Sequence, residues 1–434
     1  MHSIHASHYP HVPVTCVSQM FGGGIFINAE ASGGAFLFQS VVSRCSVSSS
    51  QAGLGGGIDI QSGTLNMVQC LVTECVAGSP APQADGVGGG IAVQKGDVSL
   101  SLTRITRCRA FALESQATGG GLSINDGTVT ITNCSIVDCA VTAINGDAFG
   151  GGLIIQGGSI YMIATHVVGC TALVNITRLA GTNLYSSSGG GVLIAGGTSE
   201  FVDCLFMTCA TQLYGKSNAG AGASLKVLGG GLSLIDGVTQ LVSITVRACQ
   251  SWYGGGINLS TPPGSAVSMS EVKLADNRAT TSGTAIFLAN AGLDRLLRID
   301  AFLMKIEPHC PVAEERNVPI IDAFGVDDPV LSLRALAVRR GPCTTPAPLV
   351  YGFTLPTCNA TFPSLTVSGQ RVDYCGQDAT CVAHDPEYLT PACECAPPTY
   401  PSPLAAYPLH APYREGCVLP IEAANLTHVA PSIY

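Results

Sequence analysis

Charge is scarce in this chain. Only 11% of its 434 residues are Asp, Glu, Lys or Arg, and aromatic residues make up 6% with a single tryptophan, Trp252. Set against 46% apolar content, that scarcity excludes both a disordered chain and a coiled coil. A basic excess is also missing. The formal charge is −9, so no nucleic-acid partner is expected, because phosphate binding needs a positive patch. No apolar run reaches the ~20 residues of a spanning helix; Gly, Ser, Thr or a charge interrupts each one, and no membrane span is expected. Residues 1–15 lack the basic start and apolar core of a signal peptide, and the N-terminus is expected to be incomplete.

What is present is cysteine, glycine and sequons. Nineteen cysteines and five Asn-x-Ser/Thr sites, at Asn133, Asn175, Asn258, Asn359 and Asn425, suit a secretory route. An extracellular or cell-surface location is therefore expected, with a cytosolic origin as the alternative. Asn175, Asn359 and Asn425 are the glycosylation candidates.

The 52 glycines are not scattered. A Gly triplet starts at Gly22, Gly55, Gly88, Gly119, Gly150, Gly189, Gly229 and Gly254. The next residue is always aliphatic (Ile25, Ile58, Ile91, Leu122, Leu153, Val192, Leu232, Ile257), and so is the residue two further on. The residues between vary (Asp59, Ala92, Ser123, Ser233, Asn258), which predicts a strand with one buried face. A turn such as Asn125-Asp126-Gly127 or Asp236-Gly237 follows, then a second strand. A cysteine lies 20 residues past the first Gly in six repeats: Cys75, Cys108, Cys139, Cys170, Cys209 and Cys249. In the first and eighth repeats the spacing is 23, reaching Cys45 and Asn277. From there to the next triplet the length varies.

A fixed core with a variable loop at one corner is the signature of a solenoid, whose stacked residues must match while the loop need not. The expected fold is all-β: a right-handed parallel β-helix of about 8–10 coils over residues 16–343. Residues 283–343 supply two coils without the triplet, through Thr284–Leu288 and Pro319–Asp322, with Cys310 and Cys343 in the ladder. Ten coils at ~4.8 Å would make a rod of roughly 48 Å. The Gly-Gly-Gly-Ile motif, with Cys-x4-Cys-Ala at Cys134–Ala140 and Cys204–Ala210 or Asn277-Arg-Ala, resembles the β-helix repeats of the pectin-lyase-like superfold. It is closest to the polymorphic-outer-membrane-protein type. The resemblance covers about three quarters of the chain and implies fold rather than activity.

The ladder cysteines point inward in this reading and stack within disulfide reach of one another. Cys70, Cys134 and Cys204 sit five residues earlier in alternate coils and can each close with Cys75, Cys139 and Cys209. Free thiols filling a narrow interior are the alternative. No metal is expected, because no Cys-x2-Cys or His partner accompanies them; His2, His5, His8 and His11 are open to a metal or to a frayed terminus. Arg44, Glu74, Arg107 and Asp138 alternate in sign from coil to coil, which predicts pairing along the stack. No cofactor is implied.

The candidate binding site is geometric. Two adjacent coils carry the longest corner insertions, 171–188 and 210–228, which should emerge side by side. They contain Arg178, Tyr185, Tyr214 and Lys216, and on the same coils Ile154 and Leu193 take the outward strand position, marking a covered flap or a groove. Ornamental loop growth is the alternative, as is packing on the rod for Trp252-Tyr253.

After Cys343 proline rises and the triplets vanish. Residues 344–357 read as a linker, 358–417 as a disulfide-rich module and 418–434 as a tail. Cys358, Cys375, Cys381, Cys393, Cys395 and Cys417, with the Cys393-Glu-Cys395 step, resemble an EGF-like domain. That resemblance implies Cys358–Cys381, Cys375–Cys393 and Cys395–Cys417, leaving Cys310 with Cys343 by subtraction. The expected function is a non-enzymatic cell-surface or secreted protein binding a glycan or a cell-surface protein. A polysaccharide lyase or hydrolase needs two or three converging carboxylates or bases, and the one local doublet is Asp327-Asp328. A purely structural stalk is the third reading.

Overall fold

In a computed structural model the chain is all-β, built of stacked coils of parallel strands. The structure describes residues 22–289 apart from 30–32, 80, 178–184, 216–224 and 261–264. Beyond these it describes only short strands, at 17–18, 298–302, 305–307, 321–324, 330–334, 337–338, 350–351, 379–382, 392–395, 400–401 and 417–418. The His2–His11 series, Asp327-Asp328, Cys310, Cys343, Cys358, Cys375, Asn359 and Asn425 lie outside the described residues. Of Cys381, Cys393, Cys395 and Cys417 only the backbone is described. It forms two antiparallel pairs, Ala379–Val382 with Ala392–Cys395 and Tyr400–Pro401 with Cys417–Val418.

Three parallel sheets run along the stack. A wide sheet takes the strand after each triplet and the strand that follows the turn, as in Leu122–Ile124 and Thr128–Thr132. A narrow sheet has ten strands, from Val41–Ser43 to Ala337–Val338, so the two triplet-free coils belong to the same stack. Val350–Tyr351 pairs in parallel with Ile321–Asp322, inside the segment expected to be a linker. The third sheet is a fin. After each ladder cysteine a strand runs out (Ala140–Ile144), turns, and a second strand returns (Ala148–Phe149) to the next triplet.

The register is strict: Ile91 pairs with Ile58 below it and Leu122 above it, and Val93 with Ile60 and Ile124. These aliphatic rungs, with Val129 and Ile131 from the second strand of the wide sheet and Ile105 and Ile136 from the narrow sheet, form one continuous buried core. The triplets make that packing possible. At Gly120 a Cβ would run into the carbonyl oxygens of Gly151 and Ala140, so coil and fin approach there as only glycine allows. The first glycine of the triplet turns with positive φ, 60° at Gly119.

The single buried face expected of the post-triplet strand is wrong. From the second coil on, its middle residues are also covered: Asp59 is 0% exposed, Ser123 2%, Ser233 0% and Asn258 0%, while Phe26 in the first coil stays exposed. The physical reason is the fin, whose returning strand bends back at the triplet and lays the residue before the glycines over the neighbouring coil. Thus Ser188 Oγ donates to Ser233 Oγ at 2.8 Å, and the Tyr253 ring lies 5.0 Å from Phe287. Replacing Gly120 by Ala should therefore cost about 2–4 kcal/mol of unfolding free energy, measured by urea denaturation. The same change at Gly157, where a Cβ meets backbone no closer than the Asn125 oxygen at 2.8 Å, should cost less.

Candidate functional site

The fin is where the stack departs from a plain cylinder. Its interior is made of small residues, Ala110, Ala112, Ala117, Val141, Ala143 and Ala148, widening to Val174, Ile176 and Tyr185 in the coil with the longer insertion. Small side chains let the outgoing and returning strands pack closely. Alternation then turns the larger residues outward. Register sets them in two rows: Phe111, Thr142, Leu173 and Gln212 in one, Leu113, Ile144, Asn175 and Tyr214 in the other.

The two long insertions do emerge side by side. Thr171–Ile176 pairs residue for residue with Ala210–Gly215, and Tyr185–Ser188 with Leu225–Leu228. Tyr214 is 57% exposed at the end of its row, next to half-buried Asn175. The other expected site residues divide differently. Tyr185 is buried within the fin; Ile154 and Leu193 are each 1% exposed at the covered triplet corner, so they mark a closed flap and not an open groove. Arg178 and Lys216 lie outside the described residues. Sequence reasoning missed Phe111, Leu113, Ile144, Leu173 and Gln212. Their signal was the period-two alternation with Ala110, Ala112, Val141, Ala143 and Ala172 just after each ladder cysteine.

Turns of the fin are tied from coil to coil by carboxylates. Asp85 accepts from the Ser115 hydroxyl and from Gln116 N, and Asp147 accepts from Ser186 N at 2.7 Å. Burial pushes Asp147 above the usual carboxylate range. Asp126 and Asp236 serve their turns, each accepting from the following glycine N–H. Arg44 and Arg107 both reach Glu74 at 2.9 Å, which is the expected pairing for three of the four alternating charges but among the described residues does not extend to Asp138, and Arg247 reaches Asp276 at 3.1 Å. These are exposed pairs that contribute little each. Among the described residues no three His, Cys, Asp or Glu side chains converge to hold a metal ion, and no helix is long and apolar enough to cross a membrane.

Ten described cysteines are free and buried, including all three Cys-x4-Cys pairs: Cys70 with Cys75, Cys134 with Cys139 and Cys204 with Cys209. The expected bridges are absent because a three-residue strand, such as Leu71–Thr73, separates the partners. Those extended residues span ~10 Å, beyond the ~7 Å Cα limit of a disulfide. The thiols instead donate to carbonyls, Cys134 Sγ to Leu100 O at 3.4 Å and Cys204 Sγ to Met162 O at 3.4 Å. Asn277 takes the ladder place in the eighth coil, accepting from Cys249 N and donating to Val246 O. Burial pushes Cys70 and Cys134 up, and Cys204 up to about 12. Along the ladder, hydrogen bonds from neighbouring thiols hold Cys139 and Cys209 down, while burial raises Cys170 and Cys249. All ten are closed off from solvent, so none should be alkylated by iodoacetamide in the reduced native protein at pH 8, and all ten should be after unfolding, as read by peptide mass spectrometry.

Asp59 is the one fully buried carboxylate among the described residues. Gln61 Nε2 donates to Oδ2 at 2.8 Å, while Oδ1 has no hydrogen-bond partner. Burial pushes its carboxyl up to about 6. The folded chain thus holds this proton more tightly than the unfolded chain, whose Asp titrates near ~3.9. The stabilisation is fully present below pH ~4 and is lost as pH rises through about 6, a swing of about 3 kcal/mol. Asp59→Asn should accordingly raise the unfolding free energy at pH 8 by about 2–3 kcal/mol and leave it nearly unchanged at pH 4, as followed by urea denaturation at the two pH values.

Comparison with protein-family models, with curated proteins and with solved structures finds no match to this chain.

Proposed function

We propose that the chain is a non-enzymatic cell-surface or secreted protein whose stack of coils presents the fin as a binding face for a glycan or a cell-surface protein. The coils are read as a right-handed β-helix of the polymorphic-outer-membrane-protein type, and residues 358–417 as an EGF-like spacer. The observation that carries the binding reading is the pair of rows on the fin's outer face. Exposed Tyr214 and half-buried Phe111, Leu113, Ile144 and Leu173 supply apolar contact, and Thr142, Asn175 and Gln212 supply neutral hydrogen-bonding groups. An aromatic ring beside amides on a rigid sheet suits a sugar ring or a protein loop, each with apolar and polar edges.

A lyase or hydrolase would need a second acid or base beside Asp59. Its neighbours in the stacked column are Phe26 and Ala92, and neither can take or give a proton. The covered corner also leaves no room for substrate there.

Binding of the full-length chain to a glycan array and to a panel of cell-surface ectodomains tests this reading. Tyr214→Ser together with Leu173→Ser should weaken any captured ligand at least tenfold while thermal unfolding shifts little, because both side chains face outward. Ligand capture unaltered by the double change would move the site elsewhere, and an absence of any ligand would favour the stalk.

A further inference from the structure

The structure ranks the described sequons very differently. Asn258 is 0% exposed, and its amide donates to Ser233 Oγ at 3.0 Å inside the covered corner, where no sugar fits. Asn175 is half-buried on the fin, and its sequon hydroxyl, Thr177 Oγ1, accepts from Asn145 Nδ2 at 2.9 Å. Asn133 stands apart. It is exposed at the corner between the wide and narrow sheets, with φ of 51°, a left-handed conformation that suits asparagine. Only its backbone is held, Asn133 N donating to Ile163 O at 3.0 Å.

The surroundings of Asn133 make a second, independent observation. The same corner one coil below holds Leu102, 52% exposed and at φ 49°, a conformation costly for a bulky side chain. On the coil above, Ala164 takes the same corner, and Ile163, 38% exposed, stands one residue before it, in register with Thr132. Exposed Leu102 therefore stacks one coil spacing of ~4.8 Å below Asn133, and exposed Ile163, whose carbonyl accepts from Asn133 N, lies diagonally above it. Nothing among the described residues covers them.

We infer that Asn133 carries an N-linked glycan whose first sugar lies over Leu102 and Ile163. The inference rests on the reading of the chain as an exported protein. In the transfer, the Asn133 side-chain nitrogen attacks the anomeric carbon of a lipid-linked oligosaccharide diphosphate. The new N–C bond replaces the C–O bond to the diphosphate, the amide gives up one proton, and the lipid diphosphate leaves. The sugar's apolar face then shields the leucine and isoleucine, and its hydroxyls meet solvent.

The test is site occupancy in the full chain secreted from a eukaryotic host, read by peptide mass spectrometry after enzymatic deglycosylation in heavy-oxygen water. Asn133 should be occupied in most molecules and Asn258 empty. Sugar at another sequon with Asn133 bare refutes the inference alone; sugar nowhere refutes it together with the export reading. Two variants check the covering role. Ser135→Ala removes the sequon without touching Asn133. Asn133→Gln places a residue that the same corner already accepts at Gln39 and Gln69, with φ of 45° and 55°. Both should raise binding of an apolar fluorescent dye at least twofold, and adding Leu102→Ser should return it to the starting level. Dye binding that stays flat in both variants overturns the placement of the sugar over Leu102.

Discussion

Coil-to-coil hydrogen bonding at the glycine triplet is the constraint on which the rest of this structure depends. Gly120 N donates to Gly150 O, Gly121 N to Gly152 O and Leu122 N to the same Gly152 O, and the pattern repeats through the stack. Three walls meet at this line: the wide sheet, the fin's returning strand and, through the Cys139 Sγ that a Cβ on Gly121 would approach, the ladder. A side chain on the middle glycine has no free direction, because backbone closes it in from both neighbours. Parallel pairing then sets the register, and the register places every aliphatic rung.

Two other corners of each coil are turned by residues that are mostly not glycine. Gln69 and Glu74, Leu102 and Arg107, Asn133 and Asp138, and Ser243 and Ala248 all have φ near +50°, five residues apart in every coil. Such residues each cost strain, and the stack holds them because the N–H of each of these eight is bonded to the next coil, as in Leu102 N to Thr132 O and Arg107 N to Val137 O. The corners therefore place single side chains at fixed heights along the stack. Glu74 meets Arg44 and Arg107 there, and Asn133 meets open solvent.

The interior divides its work by side-chain size. Aliphatic rungs and thiols fill the main core, and alanine fills the thin fin. Cysteine suits the ladder as a small apolar group with a weak donor, and the coil without it substitutes Asn277, which serves a backbone N–H as well as a carbonyl. The same thinness turns the fin's larger residues outward, so the binding face follows from how closely the two strands of the fin pack.

Much of this was legible in the residue order. The triplets, the aliphatic pairs such as Ile58 and Ile60, and the cysteine at a fixed interval determined a parallel stack, its register and the place of the insertions, because a repeat can satisfy stacking only in one phase. Three things needed the tertiary structure. Asp59, Ile154 and Asn258 read as outward residues from alternation alone, and only the fin bending back at the glycines covers them. Cys70 and Cys75 read as a pair from spacing alone, and only the straight strand between them keeps them apart. Asn133 reads as one sequon among five until the corner gives it exposure and two apolar neighbours. Periodicity reports which residues share a face; what lies against that face is decided by distant chain folding over it.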